Sequence, residues 1–219
     1  MDSSTMTSRA EELSGARQWN LDDGGVLTLH EHWLAPAKAG HVYAALLEEV
    51  DWKQRSIRLM GREVLQPRLT AWYGDAAYTY SGVTLTPVPW TPLLSELRDL
   101  VVAEVGECFN SVLCNMYRTG ADSMGLHSDD EKELGPHPVI ASLSLGAARV
   151  FVLRHRKKKA PPVKIELTHG SLLVMRGTAQ AFWKHEVPKD PSASGPRINL
   201  TFRRILIVRQ AERPLLPPK

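Results

Sequence analysis

The residues whose types and spacing best suit chemistry are His127 and Asp129, which one residue separates, and His185, which follows 56 positions after Asp129. Residues two apart on an extended segment point to the same side, so His127 and Asp129 would face a common ligand. Two histidines and one carboxylate on one face form the triad that binds non-haem Fe(II) and leaves coordination positions open. The spacing therefore indicates an iron site that could admit a cosubstrate and O2.

Other histidines compete for the third ligand position, because a His-x-Asp pair alone also occurs in polar surface turns. His169 precedes a glycine in a predicted turn, and His155 lies among cations that would repel a metal ion. His137 is a further competitor. We favour His185 because a run of regularly spaced polar residues follows it at a short distance.

That run is a predicted strand in which polar and apolar residues alternate from position 197 to position 203. Such a strand buries its apolar side chains on one face and directs its polar ones to the other, here Arg197, Asn199, Thr201 and Arg203. Two arginines directed into a barrel are costly unless an anion meets them, and a guanidinium fork suits a dicarboxylate cosubstrate. A solvated outer face is the alternative. Asn115 and Tyr117 repeat the spacing before His127 and offer neutral hydrogen-bond groups.

Composition and charge limit the class of protein. The 219 residues include 43% hydrophobic ones and carry a net charge of +3, which suits one large domain or two small ones with a sizeable core. This balance tolerates a local basic patch that faces a polyanion. The cysteines Cys108 and Cys114 indicate buried thiols in a reducing compartment rather than a disulfide framework. No run approaches the about 18 apolar residues of a membrane span. Residues 1–15 lack the apolar stretch of a secretory signal, so we expect a cytoplasmic protein.

Local patterns predict the elements that must position these residues. We expect residues 1–25 to form a flexible leader, because they are rich in Ser, Thr, Asp and Glu. Apolar residues at helical spacing predict a helix over 36–50, and Thr91 and Pro92 begin a second helix as its N-cap and first residue. Short strands separated by turns then predict a sandwich or barrel, at 111–117, 139–145, 149–153, 163–167, 171–175 and 198–208. The predicted fold is α+β and mainly β, with a double-stranded β-helix (jelly-roll) core and N-terminal helices packed outside it.

Two segments before this core carry residues suited to contact a nucleic acid base. Residues 57–64 are expected to form a hairpin with Gly61 near the turn, Met60 at the tip and arginines beside it. Met60 is either a cap on the core or an apolar wedge that enters a base stack. Tyr78 and Tyr80 share one face of a predicted strand and are either a core pair or a stacking platform for a base.

Taken together, these residues resemble the AlkB family of iron- and 2-oxoglutarate-dependent dioxygenases, especially the animal-type subgroup that repairs alkylated duplex DNA. The resemblance extends from about position 66 to position 206, well over half of the chain. It rests on the motifs Gln66-Pro67-Arg68, Trp72-Tyr73-Gly74-Asp75, Tyr78-Thr79-Tyr80-Ser81-Gly82, His127-x-Asp129-Asp130-Glu131, His169-Gly170-Ser171-Leu172-Leu173 and Asn199-Leu200-Thr201-Phe202-Arg203. This combination is far more specific than a bare His-x-Asp pair.

The resemblance implies a role for each group of residues. His127, Asp129 and His185 would bind Fe(II), and the cosubstrate 2-oxoglutarate would be held by Asn115, Tyr117, Arg197, Asn199, Thr201 and Arg203. The pocket for the damaged base would be lined by Tyr78, Tyr80, Asp130 and Glu131. Met60 stands where the subgroup carries an aromatic wedge, and residues 154–159 resemble its basic DNA-gripping loop. Ser128 departs from the family, which often has Arg between the two ligands.

The resemblance also implies the domain plan and the reaction. We expect a flexible leader over 1–25 and one dioxygenase domain over 26–219, with a nucleotide-recognition lid of hairpins near 52–90 and the jelly-roll core near 111–208. The implied reaction uses Fe(II), 2-oxoglutarate and O2 to demethylate 1-methyladenine or 3-methylcytosine in DNA, and releases formaldehyde, succinate and CO2. Base flipping would bring the lesion to the iron.

Two alternatives to this function stay open, together with several expectations about partners. The same chemistry on RNA or protein is one alternative, and a non-catalytic nucleic-acid-binding protein with a structural metal is the other. The expected partner is alkylated DNA, duplex or single-stranded. We expect a monomer without membrane contact, cytoplasmic with access to chromosomal DNA and nuclear in a eukaryote.

Overall fold

The computed structural model describes residues 11–13, 15–59, 62–75, 78–80, 83–85 and 87–206, and for 11–13, 57–59, 78–80 and 83–85 it describes the backbone course alone. The helices are α1 (Pro36–Glu49), α2 (Pro92–Val105) and α3 (Ala179–Phe182). The strands are β1 (Glu11–Leu13), β2 (Ala16–Asn20), β3 (Gly25–His30), β4 (Ser56–Leu59), β5 (Arg62–Leu65), β6 (Leu69–Gly74), β7 (Tyr78–Tyr80), β8 (Val83–Leu85), β9 (Ser111–Tyr117), β10 (Met124–His127), β11 (Ile140–Gly146), β12 (Arg149–His155), β13 (Val163–Leu167), β14 (Ser171–Gly177), β15 (Trp183–Val187) and β16 (Arg197–Arg203).

Two antiparallel sheets form the body of the protein. The larger sheet has eight strands in the order β1-β2-β3-β14-β11-β16-β9-β6, and the smaller has four in the order β10-β15-β12-β13. One apolar cluster packs α1 and α2 against the larger sheet, and a second cluster contains apolar side chains of both sheets. This arrangement confirms the predicted mainly β fold and is consistent with a jelly roll.

The two long helices form where their sequences predict. In α2, the Thr91 hydroxyl accepts a hydrogen bond from the Leu94 N–H, Pro92 occupies the first position, and Gly106 ends the helix in a left-handed conformation. Apolar residues three or four apart on both helices pack into the core, namely Ala39, Val42, Leu46, Leu94, Leu97, Val101 and Val105. Both helices therefore cover the outer face of the larger sheet. Among the described residues, no helix is long and apolar enough to cross a membrane.

The expected flexible leader over 1–25 differs from the structure in its second half. Ala16–Asn20 forms β2, which pairs with β3 in the larger sheet. Trp19 is only 5% exposed, and Leu21 is buried as well, both in the apolar cluster that also contains side chains of the smaller sheet. Because the leader is mostly polar, its composition did not indicate that these two apolar residues are buried. Their burial stabilises the added strand.

Small hairpins lie where the nucleotide-recognition lid was predicted. β4 pairs with β5, with Leu59 opposite Arg62, so the two strands of the predicted hairpin are present, whereas its turn residue Gly61 lies outside the described residues. Met60 itself lies outside the described residues. β7 pairs with β8, and the side chains of Tyr78 and Tyr80 on β7 likewise lie outside the described part. The lid boundaries stay a prediction.

The order of the strands brings the chemically interesting residues together. β16 lies between β9 and β11, which sets Arg197 opposite Tyr117 and Asn199 opposite Asn115. In the smaller sheet, β10 pairs with β15 so that His127 lies directly opposite His185. The predicted strand over 198–208 is shorter in the structure, because β16 ends at Arg203.

Candidate active site

The potential metal ligands form one compact group between the two sheets. One ligand atom from each of His127, Asp129 and His185 lies within 4.8 Å of the others. The imidazole rings of His127 and His185 are 4.3 Å apart and meet edge to face. Asp129, two residues beyond the end of β10, is only 1% exposed. The structure thus brings together the three residues that the sequence predicted as iron ligands.

Hydrogen bonding determines which nitrogen of His127 can bind a metal. Its Nδ1 lies 2.8 Å from the Gly125 carbonyl oxygen, which can only accept a hydrogen bond. Nδ1 therefore carries the proton, and Nε2 keeps its lone pair and lies 3.9 Å from Asp129 Oδ1. A carbonyl that fixes the tautomer in this way is a common feature of histidine metal ligands.

The protonation states of the group suit a divalent cation. Burial alone would raise the pKa of Asp129, but Arg203 and the two imidazoles lower it to about 2. Burial, together with the neighbouring His127, lowers the pKa of His185 to about 3, and burial also lowers the pKa of His127. At neutral pH the site therefore holds one carboxylate and two neutral imidazoles, which is the state that a metal ion requires of its ligands.

Arg203 has a contact that sequence reasoning did not find. Its Nη2 lies 2.9 Å from Asp129 Oδ1, and both side chains are almost completely buried. The predicted contact of Arg203 with the cosubstrate stays a prediction, and its ion pair with a potential metal ligand is an additional contact. No local pattern indicates this contact, because the two residues are 74 positions apart.

Polar side chains of β16, β11 and β9 cover the wall beside the metal ligands. Asn199 Nδ2 donates to Ser142 Oγ at 2.7 Å and to the Leu143 carbonyl, and Thr201 Oγ1 donates to Asn199 Oδ1 at 2.9 Å. Asn115 accepts a hydrogen bond from Arg68 Nε at 2.8 Å. Each of these polar groups is buried, and each is satisfied by a neighbour rather than by solvent.

Arg197 differs from these asparagine and threonine side chains because its neighbours do not satisfy all of its donors. Its side chain is 1% exposed, and its guanidinium lies over the Tyr117 ring at 5.2 Å. Nη2 donates to Ser144 Oγ at 2.9 Å, but Nε and Nη1 have no hydrogen-bond partner among the described residues. Burial lowers the pKa of Arg197, yet an arginine stays protonated in proteins. A buried cation with unsatisfied donors fits an anion such as a carboxylate of the predicted cosubstrate.

One cavity joins the metal ligands to this wall. It is lined by His127, Asp129, His185, Tyr117, Arg197, Asn199, Thr201 and Arg203, together with Ser142, Met124, Phe151, Met175 and Val187. Asn115 is not among the lining residues, and Arg68, which sequence reasoning did not assign, holds its side chain. Of the residues predicted to bind iron and cosubstrate, all but Asn115 therefore face the same space.

Two of the residues predicted to contact the base, Asp130 and Glu131, directly follow the metal ligand Asp129 in the chain. The Asp130 side chain is half-exposed and forms an ion pair with Arg156, which belongs to the basic segment of residues 154–159. Glu131 is partly buried. Met60 and the side chains of Tyr78 and Tyr80 lie outside the described residues, so their roles stay predictions.

The competing histidines lie elsewhere in the structure. His155 Nε2 is hydrogen-bonded to Asp23 at 2.8 Å, and His169 Nδ1 accepts the N–H of Gly146. His137 lines a different cavity. In the described part of the chain, the only group of three His, Cys, Asp or Glu residues with metal-binding geometry is the one at His127, Asp129 and His185.

Comparison with known proteins agrees with this geometry. The sequence profile of the 2OG-Fe(II) oxygenase superfamily matches residues 26–203. Human alpha-ketoglutarate-dependent dioxygenase alkB homolog 3 is 43% identical over 211 residues, which is 90% of this chain and 73% of that protein. Human DNA oxidative demethylase ALKBH2 is 41% identical over 186 residues, which is 80% of this chain and 71% of that protein.

A solved structure supports the fold alone. The structure of OsALKBH1 aligns with a TM-score of 0.56 at 16% identity and covers 90% of this chain and 100% of that chain.

The superfamily to which the profile belongs uses Fe(II), 2-oxoglutarate and O2. The metal-ligand set and the buried Arg197 described above fit these groups. The profile covers more than half of the chain, and the curated relatives share more than 40% identity with it. This protein therefore belongs to the 2OG-Fe(II) oxygenase superfamily and, within it, to the AlkB family.

Proposed function

We propose that this protein is a dioxygenase that oxidatively demethylates N-alkylated bases in DNA, with 1-methyladenine and 3-methylcytosine as substrates. The observation that carries the proposal is the compact group His127, Asp129 and His185 in one cavity with Arg197, whose Nε and Nη1 have no hydrogen-bond partner among the described residues. Relatives that are named as a dioxygenase and as a DNA oxidative demethylase support the reaction class and the substrate.

His127 through Nε2, His185 and the carboxylate of Asp129 would hold the iron. When bound, Fe(II) supplies O2 activation coupled to the conversion of 2-oxoglutarate to succinate and CO2. One oxygen atom of O2 enters succinate and the other hydroxylates the N-methyl group. The resulting N-hydroxymethyl base loses formaldehyde and a proton, which leaves the ring nitrogen with its free lone pair. The balance thus consumes one O2 and one 2-oxoglutarate for each methyl group.

The chain's own residues contribute binding, orientation and the exclusion of water. Arg197 would bind a carboxylate of 2-oxoglutarate through the donors that it does not use within the protein, with the Ser144 hydroxyl beside it. Arg203 holds Asp129 through their buried ion pair, which keeps this carboxylate ionised and oriented. The apolar Phe151, which packs against His185 at 5.1 Å, contributes to a dry site.

The residues on the substrate side favour a cationic base. Asp130 and Glu131 follow the ligand Asp129 directly, and their carboxylates would attract the positive charge of 1-methyladenine or 3-methylcytosine. A base in a duplex must leave the stack to reach the iron, and weakened pairing of a methylated base lowers that cost. The basic residues 154–159 would neutralise phosphates near the site.

Turnover of defined oligonucleotides tests the proposal. A DNA strand with one 1-methyladenine, mixed with the protein, Fe(II), 2-oxoglutarate and O2, should lose 14 mass units (one CH2, about 14 Da per methyl group) with equimolar formaldehyde and succinate. Asp129→Ala should abolish formaldehyde release, because it removes a metal ligand. Asp99→Ala, at an exposed residue of α2, should leave release unchanged.

Matched substrates separate the alternatives. One nucleotide sequence is tested as methylated duplex DNA and as methylated RNA, and a methylated peptide is tested beside them. We expect the highest turnover on DNA. Preference for RNA or peptide would overturn the substrate assignment but keep the chemistry. Binding of DNA without oxygen uptake that depends on 2-oxoglutarate would instead identify a non-catalytic nucleic-acid-binding protein.

Two further expectations complete the proposal. We propose that the protein acts as a monomer, which light scattering coupled to gel filtration measures directly. We also propose a cytoplasmic location with access to chromosomal DNA, nuclear in a eukaryote, which microscopy of the tagged full chain tests.

A further inference from the structure

Gln180 is a buried amide immediately behind the iron ligands. It is the second residue of α3, the short helix between β14 and β15, and its side chain is 2% exposed. Its Oε1 accepts a hydrogen bond from the Asp129 N–H at 3.0 Å. Its Nε2 lies 3.4 Å from the sulfur of Met175, which lines the cavity. Because a backbone N–H can only donate, this contact determines the orientation of the amide group.

The main chain at Asp129 depends on such contacts because no strand holds it. β10 ends at His127, and residues 128–131 have no regular secondary structure. Ser128 Oγ donates to the Trp183 carbonyl at 2.7 Å, and Asp129 N–H donates to Gln180. These two hydrogen bonds attach the ligand-bearing segment to α3 and to the start of β15, the strand that carries His185.

Arg156 connects the same helix to the basic segment. Its Nη2 donates to the Gln180 carbonyl at 3.1 Å and also pairs with the Asp130 carboxylate. Its own N–H donates to the Phe182 carbonyl at 2.8 Å, which is at the end of α3. Arg154, two residues before it, pairs instead with Glu186 on β15. Of these two arginines, Arg156 is therefore the one that contacts both α3 and Asp130, the residue next to the ligand Asp129.

We infer that Gln180 is a positioning residue for Asp129, and that Arg156 fastens Gln180 and Asp130 to the basic segment, so that this segment and the metal site are held as one unit. The inference rests on the proposed function, since it concerns the same metal site. Gln180 does not touch the metal; it acts through the main chain of Asp129. A neutral acceptor at this place holds the N–H without competing for the cation.

Metal affinity of the metal-free protein tests the role of Gln180 without any turnover. Co(II) serves as the probe, because its visible absorption reports ligand number and geometry. Gln180→Met keeps the length of the side chain but removes the amide acceptor and leaves the buried Asp129 N–H without its partner. Removing a group that orients a metal ligand costs about 10- to 100-fold in metal affinity, and we expect a weakening in that range together with an altered spectrum.

Two variants distinguish positioning from a general loss of structure. Gln180→Glu keeps an oxygen acceptor at the same place, and burial beside the Asp129 carboxylate favours the neutral, protonated form of the new side chain. This variant should retain Co(II) affinity, which a merely structural role for the amide would not predict. Gln54→Met is the matched control, because the Gln54 amide also forms a hydrogen bond with the main chain, to the Gln66 carbonyl. This variant should leave the Co(II) affinity unchanged. Thermal unfolding of each metal-free variant identifies any that fail to fold.

Arg156 offers a second measurement that does not depend on the folding of a core variant. Arg156→Ala should weaken Co(II) binding by a smaller factor, about 2- to 30-fold, which corresponds to a coupling through one intermediate residue. Arg156→Lys should resemble Arg156→Ala, because an ammonium group lacks the planar fork. Arg154→Ala removes an equal charge nearby and, measured without DNA, should leave Co(II) affinity unchanged.

The outcomes separate this inference from the proposed function. If the wild-type protein does not bind Co(II), or if Asp129→Ala binds it equally well, the metal site itself is refuted. If the wild type binds Co(II) and both Gln180→Met and Arg156→Ala bind it equally well, the positioning role is refuted and the proposed function stands. An equal loss of affinity in Gln180→Met and Gln180→Glu would likewise show that the acceptor oxygen is not what holds Asp129.

Discussion

Arg197 provides the sharpest prediction about the cosubstrate, because the protein satisfies only part of the hydrogen-bonding capacity of its guanidinium. The guanidinium stacks on Tyr117 and bonds to Ser144, while Nε and Nη1 are buried without a hydrogen-bond partner among the described residues. Arg197→Met keeps most of the apolar stem and removes the charge. We expect this variant to separate cosubstrate affinity from protein stability.

The two expected effects have different magnitudes. Truncating one partner of a buried, hydrogen-bonded charge pair costs about 2–5 kcal/mol of binding, which corresponds to about a 30-fold to several-thousand-fold loss of 2-oxoglutarate affinity. In the protein without cosubstrate, the buried guanidinium instead carries a desolvation cost. Replacing it with an apolar side chain of similar volume should be neutral or raise the free energy of unfolding, by up to about 4 kcal/mol.

Anaerobic calorimetric titration of 2-oxoglutarate into the Co(II)-loaded protein measures the affinity, and urea unfolding of the metal-free protein measures the stability. Arg149→Met is the matched control, because Arg149 lies 5.5 Å from the centre of the same Tyr117 ring but donates to the carbonyls of Asp122 and Pro188. It should lower the free energy of unfolding by about 1–3 kcal/mol with a much smaller effect on 2-oxoglutarate affinity. An Arg197→Met protein that binds 2-oxoglutarate as well as the wild type would refute the assignment of the anion site.

Two further predictions concern the rest of the protein. Cys108 is exposed, so the expectation of two buried thiols is wrong for this residue, whereas Cys114 is buried and burial raises the pKa of its thiol. Ellman's reagent should therefore titrate one thiol quickly in the native protein and the second on unfolding, and two fast thiols would contradict the packing of β9. Burial alone would raise the pKa of Asp122, but hydrogen bonds from the Arg118 side chain and N–H lower it below 3.8. The ionised carboxylate therefore stabilises the fold above pH 3.8, and this contribution is lost as the pH falls through the lowered pKa of the folded state. Because the ion pair is partly exposed, the contribution is about 1 kcal/mol. Urea unfolding of Asp122→Asn should differ from that of the wild type at pH 6 and approach it at low pH, and an equal difference at every pH would contradict this linkage.

Patterns that repeat over a few residues allowed much of the fold to be predicted. The helical spacing of apolar residues predicted α1 and α2, and Thr91 and Pro92 marked the start of α2 because capping depends on immediate neighbours. The alternation from Arg197 to Arg203 predicted a strand with polar side chains on one face. The leader was predicted less well, because the two apolar residues of its second half are outnumbered by polar ones that remain at the surface.

Contacts between distant residues could not be predicted in this way. His127 lies opposite His185 only because β10 and β15 pair in one register, and three other histidines competed for the third ligand position in the sequence. The ion pair between Arg203 and Asp129 joins β16 to the loop that follows β10, and no local pattern indicated it. Gln180 belonged to no recognised motif, and the basic segment that contains Arg156 gave no indication of its contacts with α3, since these contacts depend on what packs beside each residue.

The sequence by itself determined the chemical types at the site: two imidazoles and a carboxylate at a spacing that suits iron, and arginines at a spacing that suits a dicarboxylate. These features follow from covalent structure and from the two-residue period of an extended chain. The tertiary structure alone decided the register that sets His185 opposite His127, the ion pair of Arg203 with Asp129, and which amide holds Asp129. These contacts depend on the pairing and packing of strands that are far apart in the chain. Burial removes the water that would otherwise form hydrogen bonds with each polar group, so only the neighbours that the fold provides can do so.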